Sequence, residues 1–110
     1  MTPYAIVITT TDSEAIAQKF SRVLLEAHLA ACVQIHNIKS HYRWKGKLVE
    51  EKEFILHIKT KTALFHKVKD LIQQHHNYDI PEILMTPVTE GNEAYLSWVE
   101  KQLDTEKSSK

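Results

Sequence analysis

A chain of 110 residues, 43% of them hydrophobic, suffices for one compact core and no second domain. Its 14 basic and 14 acidic residues cancel, so no long-range field of one sign draws DNA, RNA or anionic lipid. The single cysteine, Cys32, excludes an internal disulfide and a cysteine-built zinc cage and fits a reducing, cytoplasmic setting, while two glycines cannot build a phosphate-binding loop.

The opening stretch MTPYAIVITTTDSE has no basic leader and meets acid soon after its apolar run, so it reads as neither a signal peptide nor a membrane span. Tyr4 to Thr10 is a nearly continuous apolar and β-branched run, the pattern of a strand buried on both faces. Asp12 or Ser13 can cap the helix that follows, whose apolar stripe is Ile16, Phe20, Val23, Leu24 and Ala27, ending near His28. From Ala31 the period becomes two: Val33 and Ile35 share one phase, Ile38, Tyr42 and Trp44 the other. The slip at His36 and Asn37 predicts a bulge. Lys45, Gly46 and Lys47 form a hairpin turn, and the return strand alternates clearly at Phe54, Leu56 and Ile58. Thr62 is placed to cap a second helix with the stripe Leu64, Val68, Leu71 and Ile72, ended by Asn77. Ile80 to Val88 reads as a last strand broken by Pro81 and closed by Pro87. Asn92 then caps a short helix bearing Tyr95, Leu96, Trp98 and Val99.

The order β-α-β-β-α-β with an added helix predicts an α+β, ferredoxin-like antiparallel sheet with both main helices on one face. Residues 1–103 make one domain, and 104–110, DTEKSSK, a polar tail expected to be disordered. The hairpin arms, roughly 32 to 44 and 48 to 60, would each run about 43 Å at 3.3 Å per residue. A compact domain of this size has a radius of gyration of only about 13 Å. The distal half must project, carrying Tyr42 and Trp44 into water unless another copy covers them. A closed homo-oligomer is expected.

The stretches LAACVQI (29–35), SHYRWKGKL (40–48), EFILHIKT (53–60), HHNYDIPEI (75–83) and PVTEGNEAYLSWV (87–99), in this order, resemble the CutA family of divalent-cation tolerance proteins. The resemblance runs from about Ala5 to Val99. It implies a ferredoxin-like fold, a trimer with interlocking hairpins, and binding of copper or other divalent ions. It also implies a likeness to PII signalling proteins, which bind small effectors in clefts between subunits.

Imidazole and carboxylate groups make His75, His76 and Glu82 the candidate metal ligands, and the family's proposed metal residues match these positions. A bland alternative has the histidines facing helix C-terminal carbonyls. Some family members carry a copper-binding cysteine where this chain has Thr9, a weak neutral oxygen. That favours Cu(II) or another divalent transition metal over Cu(I). Cys32, among small apolar residues, reads as a buried inert thiol. His36, His41, His57 and His66 are scattered and read singly as surface or interface residues. Tyr42, Trp44 and Lys59 suggest a second possibility, an inter-subunit cleft taking a small anionic ligand or a partner protein. Glu50 and Glu51, adjacent in a strand, point to opposite faces. No catalytic pair emerges, and no enzymatic activity is expected.

Overall fold

The computed structural model describes residues 2–103; the tail expected at 104–110 lies outside the described residues. The elements are β1 (Tyr4–Thr11), α1 (Glu14–Glu26), β2 (Cys32–Trp44), β3 (Lys47–Lys61), a 3-10 turn (Thr62–Leu64), α2 (Phe65–His75), β4 (Ile83–Pro87) and α3 (Glu93–Gln102). One four-stranded sheet in the order β2-β3-β1-β4 has every neighbouring pair antiparallel. The expected α+β class holds.

Strand alternation sorts the core. On one face Val7 of β1 sits opposite Ile58 of β3, and Leu56 lies two residues along. These meet Ala17, Phe20 and Leu24 of α1 and Val68 and Ile72 of α2, all fully buried. The 3.6-residue spacing on each helix turns those side chains to one side, so both helices cover the same face. Each fully buried Leu or Phe there contributes roughly 1.5–3 kcal/mol by leaving water. The opposite face is open: Ile6 and Ile8 are only half-buried, so β1 is covered on one side within a single chain, not on both. Its apolar run reflects a second face that this chain alone does not cover.

Helix α1 starts at Ser13, whose hydroxyl accepts from the Ile16 N–H. Helix α2 begins differently from expectation. The Thr62 hydroxyl donates to the Pro3 carbonyl instead of capping, and a 3-10 turn leads into the helix. Asn92 caps α3 by accepting from the Tyr95 N–H. Val99 and Leu103 pack on Ala31, Tyr4 and Leu64, and Glu100 takes the Tyr4 hydroxyl and the Lys61 ammonium, which fastens α3 to the end of the sheet.

The hairpin pairs residue for residue from Cys32↔Lys59 to Trp44↔Lys47, with no bulge at His36 or Asn37. The change of apolar phase has another cause. Val33 and Ile35 face the helices, whereas Ile38, Tyr42 and Trp44 stand on the opposite face, beyond the helices' reach. The turn is also shorter than expected. Lys45 and Gly46, at φ 51° and 80°, form it alone, and Lys47 is already paired. Positive φ at both central residues matches the twist of the arms, and glycine adopts it without steric cost. The molecule measures 50 × 27 × 20 Å with a radius of gyration of 14.9 Å, longer than a compact domain of its length.

The corner between α2 and β4 is fixed by His76. Its backbone is extended (φ −74°, ψ 148°), which ends α2 one residue before Asn77. Nδ1 accepts from the Tyr78 N–H at 3.0 Å, so Nε2 carries the proton and donates to the Thr10 carbonyl at 2.8 Å. The ring packs against Phe20 and Tyr78. Asn77 accepts from the Thr11 hydroxyl and donates to Asp12, tying the same corner to the end of β1. The segment from Ile80 to Glu82 is irregular, and the last strand begins only at Ile83.

Two predictions follow from this packing. Thr9 is fully buried, and its hydroxyl has no hydrogen-bond partner among the described residues. Thr9→Val removes that group at nearly constant shape and should stabilise the fold by about 1 kcal/mol; urea unfolding at neutral pH measures this. Burial lowers the His76 pKa below its ordinary 6.5, outweighing the Thr10 hydrogen bond and the nearby Asp12 and Glu53 carboxylates. The unfolded chain therefore takes up a proton at His76 before the folded chain does, and stability falls as pH drops through and below 6.5. His76→Gln should be less stable at pH 7.5 but lose less stability than the parent by pH 5.5. The other histidines are common to both chains, so the difference in urea midpoints isolates His76.

Candidate functional site

The loop after α2 carries the chain from the helix face to the open face of the sheet, beside the distal half of the hairpin. Together they enclose a cavity of about 600 Å³. Thr10 of β1 and Ser40, His41, Tyr42 and Trp44 of β2 line it, with Glu51 and Glu53 of β3 and Tyr78, Asp79, Ile80 and Glu82 of the loop. The hairpin register produces this grouping. Tyr42 sits opposite Val49, Ser40 opposite Glu51 and Ile38 opposite Glu53, so these alternate residues share one face.

Four carboxylates line the cavity, and no lysine or arginine does. Glu53 is 7% exposed and accepts from the Tyr78 hydroxyl at 2.7 Å. Glu51 accepts from the Tyr42 hydroxyl. That bond, with smaller contributions from desolvation and nearby carboxylates, pushes the Tyr42 pKa up to about 12. Burial first, and Glu53 second, raise the Tyr78 hydroxyl well above the usual tyrosine range. Burial and the Glu53 charge raise the Glu82 carboxyl as well. Among the described residues no ion pair involves Glu51, Glu53, Asp79 or Glu82. The cavity is therefore a place of unneutralised negative charge, suited to a cation and opposed to an anion.

The residues expected to hold a metal are divided by the fold. Glu82 reaches the cavity. His75 lies half-buried in the last turn of α2 and does not line it. His76 has no lone pair left, because one ring nitrogen donates and the other accepts. Among the described residues no group of three or more His, Cys, Asp or Glu is placed to hold a metal ion. His75, His76 and Glu82 as folded thus do not fit a three-ligand site, and Thr9 lies in the core on the helix side. Of the cleft residues expected, Tyr42 and Trp44 come together, but Lys59 does not join them within one chain. It lies opposite Cys32 at the far end of the hairpin, with its ammonium 5.9 Å from the Tyr95 ring centroid. Cys32 is half-buried, not buried. His36 and His57, far apart in sequence, come face to edge across neighbouring strands.

From the sequence, Glu51 and Glu53 read only as charges on the return strand across from Tyr42 and Trp44, and Asp79 not at all as a cavity residue. A signal existed: a two-residue turn at Lys45-Gly46 fixes the pairing of both arms and places Glu51 and Glu53 in phase with Tyr42 and Trp44.

The sequence profile of the CutA1 divalent ion tolerance protein matches residues 5–102. A divalent-cation tolerance protein CutA of Thermus thermophilus is 42% identical over 95 residues, 86% of this chain and 92% of that one. Human protein CutA is 40% identical over 91 residues, and this chain spans only 51% of its length. The structure of the divalent cation tolerance protein from Thermus thermophilus superposes with a TM-score of 0.87 at 39% identity, covering 92% of this chain and 99% of that one. A structure from Archaeoglobus fulgidus, described as a periplasmic divalent cation tolerance protein CutA, gives a TM-score of 0.89 at 33% identity, covering 92% of this chain and 99% of that one. Among the described residues no helix is long and apolar enough to cross a membrane. With matches of this extent in both sequence and structure, the chain belongs to the CutA1 divalent ion tolerance family.

Proposed function

We propose that this protein serves divalent-cation tolerance as a ferredoxin-like homotrimer that binds divalent metal ions, Cu(II) among them, at the carboxylate-lined cavity. One observation carries the reading: four carboxylates surround a cavity with no lysine or arginine, and no ion pair neutralises them among the described residues. Because no three ligands converge within one chain, binding there is weak, and a cation keeps most of its water. The reading is one of binding, not catalysis. A small anion in this cavity is disfavoured by the same charges, and Lys59, the residue expected to meet it, lies about 33 Å along β3 from the partner of Tyr42 at 3.3 Å per residue. Cytoplasmic placement rests on the lone thiol, Cys32.

The trimer rests on the family resemblance and on the uncovered apolar groups. Trp44 is 45% exposed, Leu48 78% and Leu84 57%, spread along the hairpin and the open sheet face. Sedimentation equilibrium at micromolar concentration should give three chain masses, and Trp44→Asp should weaken assembly; a well-folded single chain would overturn the assembly. For the cavity, titration of Mn(II) and Cu(II) followed by calorimetry is the direct measurement. Glu51→Gln/Glu53→Gln keeps both tyrosine hydrogen bonds and should weaken Mn(II) binding about tenfold or more. His75→Ala should retain it, because His75 does not line the cavity. Equal binding by the glutamine variant and the parent would dismiss the cavity.

A further inference from the structure

The open face of the sheet holds a second group of metal-ligating atoms, different in chemistry from the carboxylates just described and set two residues along the hairpin from Glu53. In β2, His36 lies opposite Ile55 of β3, and His57 of β3 lies opposite Gln34 of β2. The two histidines are therefore diagonal neighbours on one face, a separation that long or aromatic side chains bridge. Their ring centroids are 6.0 Å apart with the planes at 82°. His36 is exposed and His57 half-buried, and neither ring has a hydrogen bond to protein among the described residues, unlike His76.

A metal–imidazole bond of about 2.0 Å leaves the ion a little over 3 Å from each ring centroid, so two rings sharing one ion stand roughly 5–6.5 Å apart. The observed separation falls in that range before any side-chain adjustment. We infer that His36 and His57 form a two-imidazole site for a divalent transition metal, with Cu(II) preferred. The chain supplies these two ligands alone, because no third His, Cys, Asp or Glu converges there among the described residues. Imidazole nitrogen favours Cu(II), Ni(II) and Zn(II), with Cu(II) tightest in the ordinary order of stabilities, whereas carboxylate oxygens suit Mn(II) and Mg(II). Two sites of different ligand chemistry would let one chain answer both kinds of cation. The unbroken pairing of β2 with β3 fixes the spacing of the rings and limits the ordering needed on binding.

The inference rests on the metal-binding reading but on different residues, so the two can fail separately. The experiment is Cu(II) titration of the full chain followed by electron paramagnetic resonance, with calorimetry in parallel. Wild type should show nitrogen hyperfine structure from two imidazoles. His36→Gln and His57→Gln should each lose the two-nitrogen pattern and weaken Cu(II) binding roughly tenfold or more. Both variants should keep the Mn(II) affinity of wild type, because neither residue lines the carboxylate cavity. Glu51→Gln/Glu53→Gln should retain the two-nitrogen signal. An unchanged Cu(II) signal in both histidine variants, or oxygen-only ligation in wild type, overturns the inference and leaves the cavity reading standing. Loss of Mn(II) dependence on Glu51 and Glu53, with the imidazole signal intact, overturns the cavity reading and leaves this site standing.

Discussion

The uninterrupted pairing of β2 with β3 is the constraint on which the rest depends. Because side chains alternate strictly along a strand, one turn of fixed length at Lys45-Gly46 decides the facing of every residue in both arms. Near the helices it sends Val33, Leu56 and Ile58 into or against the core. Farther out it sends Tyr42, Trp44, Glu51 and Glu53 to the other face, where the loop after α2 closes a cavity over them. Slipping the arms by one residue would turn the carboxylates outward and part His36 from His57. A core of fully buried Leu, Ile and Val at the proximal end opposes that slip, since it would send the same residues into water. The recognition chemistry at one end of the hairpin is thus held in place by hydrophobic burial at the other.

Most of the elements were legible because their causes are local. A 3.6-residue stripe, a cap at Ser13 or Asn92 and a glycine in a tight turn act over a few neighbouring positions. The misreadings share a different origin. Thr62 has the right chemistry to cap α2, but its hydroxyl is taken by the Pro3 carbonyl, a partner 59 residues away. The phase change in β2 looked like a bulge because periodicity records only which residues are apolar. It does not say whether the strand shifted or the cover changed sides. His76 shows the same dependence on distant partners. Its residue type suits a metal, yet Thr10 and the Tyr78 backbone occupy both nitrogens, and Thr10 comes from a strand 66 residues earlier. The cavity itself was legible only through the register, and a two-residue turn sets a different register from a three-residue turn.

Zero net charge correctly excludes a strong far field, but it conceals local separation. The register places Lys39 opposite Lys52 on one face of the hairpin, while Glu51 and Glu53 occupy the other. Like charges directly opposite are destabilising, and Glu50 relieves this pair by reaching Lys39 at 3.4 Å. That exposed contact contributes little, at most about 1 kcal/mol. On the concave side nothing comparable relieves the carboxylates. Their mutual repulsion is partly absorbed by the hydroxyls of Tyr42 and Tyr78, which donate to Glu51 and Glu53, and partly by the raised pKa of Glu82.

On the proposed reading, assembly and cation binding are connected through this same face. Apolar residues that lack cover and unneutralised carboxylates line one cavity, Tyr42, Trp44 and Ile80 with Glu51 and Glu82. Covering the first desolvates the second. An ionised carboxylate taken out of water without a partner is costly, so an assembly that closes over the hairpin either protonates Glu82 or gains from a cation that enters with it. Coupling of that kind is reciprocal: a cation that favours the assembled state is bound more tightly by it. Salt screens exposed charges beyond about 8 Å at physiological ionic strength, yet it screens the nearly buried Glu53 far less. The carboxylates therefore oppose closure most when divalent cations are scarce and least when they are abundant, which is the direction a protein concerned with cation excess requires.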